Sequence, residues 1–141
     1  MDSRADCMWD GDLEGGSGTV RLATGLGGDL PVTWASRTEA PDGKTSPEEL
    51  LAAAHASCYC MAFSLVLAQN GYGPGSLETT ATATFVPGQG ITTMALEVVG
   101  RYDGIDQATF ATLAEKAHAE VCPVSQALKG NVNVSVAAKL A

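Results

Sequence analysis

The chain has 141 residues, 45% hydrophobic but only 6% aromatic, and a formal charge of −8. That length fits one domain with a buried core, which here must be built from Ala, Val, Leu and Met. The acidic balance disfavours nucleic acid, whose phosphates need basic patches, and equally disfavours anionic membrane surfaces. The opening Met1-Asp2-Ser3-Arg4 lacks the apolar region of a signal peptide. No stretch is expected to reach the roughly 18 apolar residues of a membrane span. The expected location is the cytoplasm. In that reducing compartment a disulfide among the four cysteines is more often catalytic or redox-sensing than structural.

In chain order, the first 35 residues read as β-structure. Val20 and Leu22 alternate with Thr19 and Arg21, and Leu30, Val32 and Trp34 form a second run of period two. Glycine-rich turns flank them, and residues 36–45 read as a polar loop holding Arg37, Pro41, Asp42 and Gly43. A helix start follows: Ser46 suits the N-cap, Pro47 the first helical position, and Glu49 the third residue of a capping box. The helix predicted from Pro47 to about Asn70 is apolar nearly all round, which predicts burial on every side. Ala52, Ala53, Ala54 and Ala56 leave room for another backbone.

A hairpin comes next. Leu77, Ala81, Ala83 and Phe85 alternate with threonines, a Pro87-Gly88-Gln89-Gly90 turn follows, and Met94, Leu96 and Val98 share a face on the return. Asp106 caps a second helix bearing Phe110, Leu113 and Ala117, which ends near Val121 because Cys122 precedes a proline. A short helix is predicted from Pro123 to Lys129-Gly130, then a strand through Val132, Val134 and Val136. The order β-β-α-β-β-α-α-β makes an α+β fold, expected as a single domain over 1–141.

Two cysteines in helical contexts, Cys58 and Cys122, lie 64 residues apart. Taken alone, Cys58 reads first as a small core residue and only second as a nucleophile. Cys122 falls at the N-cap of the Pro123 helix, where exposed N–H groups and the helix dipole lower a thiol pKa. Cys60 points about 200° away from Cys58 on a helix and reads as packing. Cys7 has no ligand-like neighbour. The i, i+3 pair His55 and Cys58 and the i, i+4 pair His118 and Cys122 leave a His₂Cys₂ zinc module open. A non-catalytic thiol redox sensor is also open.

The stretch TSPEELLAAAHASC through MAFSL, the GID before the second helix, and the later CPVSQAL together resemble the OsmC family. That family is the sister group of the organic hydroperoxide resistance proteins, and the N-terminal WDGDLEGGSGTV is similar to its opening strand region. The resemblance implies antiparallel sheets around two long central helices in an intertwined homodimer, with active sites at the subunit interface. It also implies a thiol peroxidase that reduces organic hydroperoxides, and hydrogen peroxide less efficiently. Position by position, Cys58 matches the peroxidatic cysteine, Cys122 the resolving cysteine, Arg37 the family arginine and Glu48 its carboxylate. No metal, flavin or haem is implied. The reductant implied is an external dithiol, with a lipoyl protein as the family's suggestion. Cys60 stands where a non-cysteine is expected and offers an alternative thiol.

The chemistry is self-consistent. A peroxidatic thiol must ionise although apolar burial opposes it, and a guanidinium fixed by a bidentate carboxylate supplies the missing charge. The apolar residues Leu51, Met61 and Phe63 near Cys58 favour hydrophobic hydroperoxides. Glu48 and Cys58 are ten residues apart, about 15 Å along an unbroken helix, so one arginine does not easily touch both. Either the helix breaks, or Arg37 and Glu48 serve the Cys58 of the other subunit, which is the expectation.

Overall fold

The computed structural model describes Met1–Ala141, which divides into two units, Met1–Leu50 and Leu51–Ala141. In the first unit β1 (Ala5–Asp10), β2 (Ser17–Leu22) and β3 (Leu30–Val32) form an antiparallel sheet in that order. Strand β1 falls within the stretch read as β-structure although no separate run marks it there, and all six of its residues are exposed. Its ladder to β2 pairs Cys7 with Val20 and Trp9 with Gly18. Gly18 is needed there: a Cβ would stand 2.7 Å from the Trp9 ring and 2.9 Å from Val32.

The predicted polar loop begins instead as a five-residue helix, α1 (Trp34–Thr38), and Trp34 leaves the strand to open it. The cause is a reciprocal cap. Thr33 Oγ1 accepts from the Ser36 backbone N–H, and Ser36 Oγ accepts from that of Thr33, each at 3.0 Å.

Helix α2 (Pro47–Gln69) matches the predicted span. Ser46 Oγ accepts from the Glu49 N–H at 3.1 Å, as a cap should. The return half of the capping box is absent, because the Glu49 carboxylate takes the Thr45 hydroxyl at 2.7 Å. At the other end Gly71, with φ of +84°, lets its N–H bond Ala68 O and the Tyr72 N–H bond Leu67 O. That is the Schellman stop that Asn70-Gly71 promised.

The second unit is built on β4 (Ser76–Val86), β5 (Gly90–Arg101) and β6 (Asn133–Leu140). β4 and β5 are the expected antiparallel hairpin, while β6 pairs parallel to β5. A parallel pair needs a long crossover. It is supplied by α3 (Gln107–Lys116), a π-helical turn (Ala117–Val121) and α4 (Pro123–Leu128). Asp106 caps α3 by accepting from the Thr109 N–H at 2.8 Å.

The core joins Tyr59, Phe63, Val66 and Leu67 of α2 to Met94, Leu96 and Val98 of β5 and to Phe110 of α3. Burial on every side of α2 is not found. Met61 is 68% exposed and Leu65 49%, so one face packs on the unit's own core and another lies open. By length and mean hydropathy, 1.8, α2 could cross a membrane. Its fully buried Tyr59, Phe63, Val66 and Leu67 show it used as a core helix.

Candidate active site

The second unit brings Cys58 and Cys122 together. Cys58 lies midway along α2, and Cys122 sits between the π-helical turn and α4 with φ −66° and ψ 112°. The following Pro123 imposes that extended backbone and ends the preceding helix. Both thiols are free, and the Cys122 S–H donates to Cys58 Sγ at 3.4 Å. A disulfide requires about 2 Å, so a shift of little more than an ångström joins them. Cys122 is fully buried and Cys58 partly so.

Burial pushes the Cys58 thiol up, and the backbone N–H of Val124 pulls against it. Cys122 takes the predicted N-cap position of α4. Its side chain makes no capping bond to α4, and the helix-start N–H at Val124 serves Cys58 instead.

Next to the sulfurs lies a contact that sequence reasoning did not anticipate. His55 Nε2 and Ser125 Oγ are 2.8 Å apart, both buried. Burial, with the nearby His118 second, holds His55 below the usual histidine range. The only sequence signal was spacing: His55 precedes Cys58 by three residues and Ser125 follows Cys122 by three.

The zinc alternative is not assembled. No group of three or more His, Cys, Asp or Glu side chains converges to hold a metal, so His55, Cys58, His118 and Cys122 are not a ligand set. His55 Nε2 is turned to Ser125, and the two sulfurs face each other.

Cys60 bonds Thr79 Oγ1 at 3.1 Å, and Cys7 is exposed on β1. Phe63, expected near the reacting thiol, is core instead, its ring centroid 4.9 Å from that of Phe110. Tyr59 is buried beside it and donates its hydroxyl to the Ala114 carbonyl at 2.9 Å.

The first unit brings Arg37 and Glu48 together. Arg37 Nε and Nη2 lie 2.8 and 2.7 Å from Glu48, both on Oε1. The expected fork with one donor per oxygen is therefore not formed, and the buried Oε2 has no hydrogen-bond partner. The Glu48 side chain is 8% exposed and that of Arg37 28%. The guanidinium also stands 5.8 Å from the Trp34 ring centroid, within cation–π range. Beside it runs an apolar groove of about 380 Å³, walled by Trp9, Leu13, Val32, Trp34 and Leu50.

Residues 40–137 match the family described as OsmC-like protein. The chain is 40% identical over 134 residues to Peroxiredoxin OsmC of Escherichia coli strain K12, covering 93% of this chain and 92% of that one. It is 35% identical over 95 residues, 65% of each chain, to an organic hydroperoxide resistance protein of Xanthomonas axonopodis pv. citri. Among solved structures, an OsmC organic hydroperoxide resistance protein of Legionella pneumophila superposes with a TM-score of 0.70 at 26% identity. That match covers 100% of this chain and 98% of the other. With one cysteine on α2 facing another at the start of α4 in an α+β fold, and a family match across more than half its length, this chain belongs to the OsmC-like protein family.

Proposed function

We propose that the chain is a thiol peroxidase that reduces organic hydroperoxides, and hydrogen peroxide less efficiently, to alcohols. The observation that carries this reading is the 3.4 Å approach of two free thiols, one buried and one partly open. The Cys58 thiolate attacks the distal oxygen of ROOH, so an S–O bond forms as O–O breaks. The alkoxide takes a proton and leaves as alcohol. The Cys122 sulfur then displaces the hydroxyl of the Cys58 sulfenic acid, which departs with the Cys122 proton as water. An external dithiol, for which a lipoyl protein is the candidate, restores both thiols by exchange. The names of the relatives, a peroxiredoxin at 40% identity and an organic hydroperoxide resistance protein at 35%, support a peroxide-handling role.

Burial opposes ionisation of Cys58, so the first step needs a positive charge at the sulfur. Arg37, steadied by Glu48, supplies it in this reading and also hydrogen-bonds the peroxide oxygens. Helix α2 is unbroken, and ten residues amount to about 15 Å along it. That offset favours a homodimer in which Arg37 and Glu48 serve the partner's Cys58. The open Met61 and Leu65 on α2, and the exposed Met8 and Trp9 on β1, are apolar surface of the kind a second copy would cover. The groove beside Arg37 suits an apolar R group better than water-like hydrogen peroxide. No metal or organic cofactor enters this cycle, which is suited to a reducing cytoplasm.

Intact mass spectrometry after one equivalent of cumene hydroperoxide tests the reading. The wild type loses two hydrogens, Cys122→Ser gains oxygen on Cys58, and Cys58→Ser is unchanged. A wild type left unchanged removes the proposal. Continued peroxide consumption with added dithiol separates an enzyme from a sensor that oxidises once.

A further inference from the structure

The sulfur pair and the His55–Ser125 contact are adjacent rungs joining α2 to α4 and to the residue that caps it. Ser125 lies three residues beyond Cys122 and His55 three residues before Cys58, so each is one turn from its thiol on the same face. The rungs measure 3.4 Å between sulfurs and 2.8 Å between Nε2 and Oγ. His55 and Ser125 are both essentially fully buried, so water does not compete for the bond. A second side chain of α4 secures its other flank. Gln126 Nε2 donates to the His118 and Ala119 carbonyls at 3.1 and 2.7 Å, tying α4 to the π-helical turn that leads into Cys122. The residue before Pro123 thus hangs between a corner braced by Gln126 and a helix braced by Ser125.

We infer that the His55–Ser125 hydrogen bond is a positioning clamp that holds Cys122 in attacking range of Cys58 during disulfide formation. His55 and Ser125 are positioning residues acting through the helices, and neither touches peroxide. The inference deepens the peroxidase reading, on which its place in the cycle rests. In that cycle the Cys58 sulfenic acid has two fates. Attack by Cys122 forms S–S and releases water, while a second hydroperoxide molecule oxidises it to sulfinic acid and leaves as alcohol. A clamp one turn away raises the effective concentration of Cys122 and favours the first fate. It leaves the initial attack on peroxide untouched, since that step needs only Cys58 and its charge partner.

The test begins without peroxide, by equilibrating the protein with mixtures of oxidised and reduced dithiothreitol. Two protein thiols and one oxidised dithiol exchange to a protein disulfide and a reduced dithiol. Ser125→Ala should lower the equilibrium constant for the Cys58–Cys122 disulfide about tenfold, and Ser125→Thr, which keeps the hydroxyl, should restore most of it. His55→Leu, a second route should Ser125→Ala fold poorly, should lower it as far. The double variant should fall no further than either single one, because both remove the same bond. In stopped-flow with cumene hydroperoxide, Ser125→Ala should form sulfenic acid at the wild-type rate, resolve it about tenfold more slowly, and over-oxidise at lower peroxide. A wild-type constant in Ser125→Ala or His55→Leu overturns the clamp, and so does equal slowing of both steps. If the constants shift as expected while peroxide leaves the protein unchanged, the peroxidase reading falls and the clamp stands.

Discussion

Arg37 meets Glu48 through two nitrogens on one oxygen, with Nε and Nη2 at 2.8 and 2.7 Å from Oε1. The contact fixes the plane of the guanidinium while the Glu48 carboxylate lies almost wholly out of water. Glu48→Gln keeps the shape and removes the charge. The rate of Cys58 oxidation by cumene hydroperoxide should fall by about ten- to a hundredfold, with the disulfide-forming step unaffected. Stopped-flow separation of the two steps checks this, and equal loss in both would point to structural damage.

Whether that pair acts within its own chain or across a dimer has a sharp signature. Equal amounts of Cys58→Ser and Arg37→Ala, each inactive alone, are unfolded together and refolded as mixed dimers. If the pair serves the partner, half the dimers carry one intact site. Turnover should then recover to about a quarter of wild type. If the pair serves its own chain, the mixture should stay inactive.

His55 gives stability a pH dependence with a definite sign. Its folded value is held below the ordinary 6.5, first by burial and then by His118. As pH falls past the unfolded value, the unfolded chain takes up the proton that the folded chain resists. The stability contribution is therefore full above about pH 6.5 and lost as pH falls through the depressed folded value. Thermal unfolding from about pH 7 to about pH 5.5 should show a falling Tm in the wild type and a shallower fall in His55→Leu. Parallel slopes in the two proteins would reject the assignment.

Gly100 on β5 is where Phe110 rests. A Cβ there would stand 2.3 Å from the ring's Cζ, and Phe110 is fully buried against Phe63. Gly100→Ala should cost about 1–3 kcal/mol by overpacking, measurable as a lower urea midpoint. The thiol pair should still form its disulfide in the variant that remains folded.

The long elements were legible because period and caps agreed. Ser46-Pro47 and Asn70-Gly71 bracket α2, Asp106 opens α3, and alternation around Met94, Leu96 and Val98 marks β5. What was missed lacked such redundancy. Five-residue α1 is too short to advertise a helical period, and its cap pair Thr33 and Ser36 decides it. Strand β1 buries neither face in this chain, so its six residues fall within the predicted β-region without standing out as a run of their own. The π-helical turn, a single wide turn over Ala117–Val121, is marked by no particular residue type. In the site, motif positions suggested which cysteines pair. The use of the Val124 N–H by Cys58, and the His55–Ser125 bond across 70 residues, depend on how two helices meet.

The crossover that makes β6 parallel to β5 also decides what a bond between Cys58 and Cys122 would encircle. The loop it closes contains the β4–β5 hairpin and all of α3, 64 residues from one thiol to the other. Tying a loop that long removes denatured-state freedom worth about 4 kcal/mol. The oxidised chain should therefore be markedly harder to melt or to digest than the reduced one. Each turn of the proposed cycle would then switch the segment from Cys58 to Cys122 between a tethered and an untethered polymer, and heat resistance alone would report how much of the protein is oxidised.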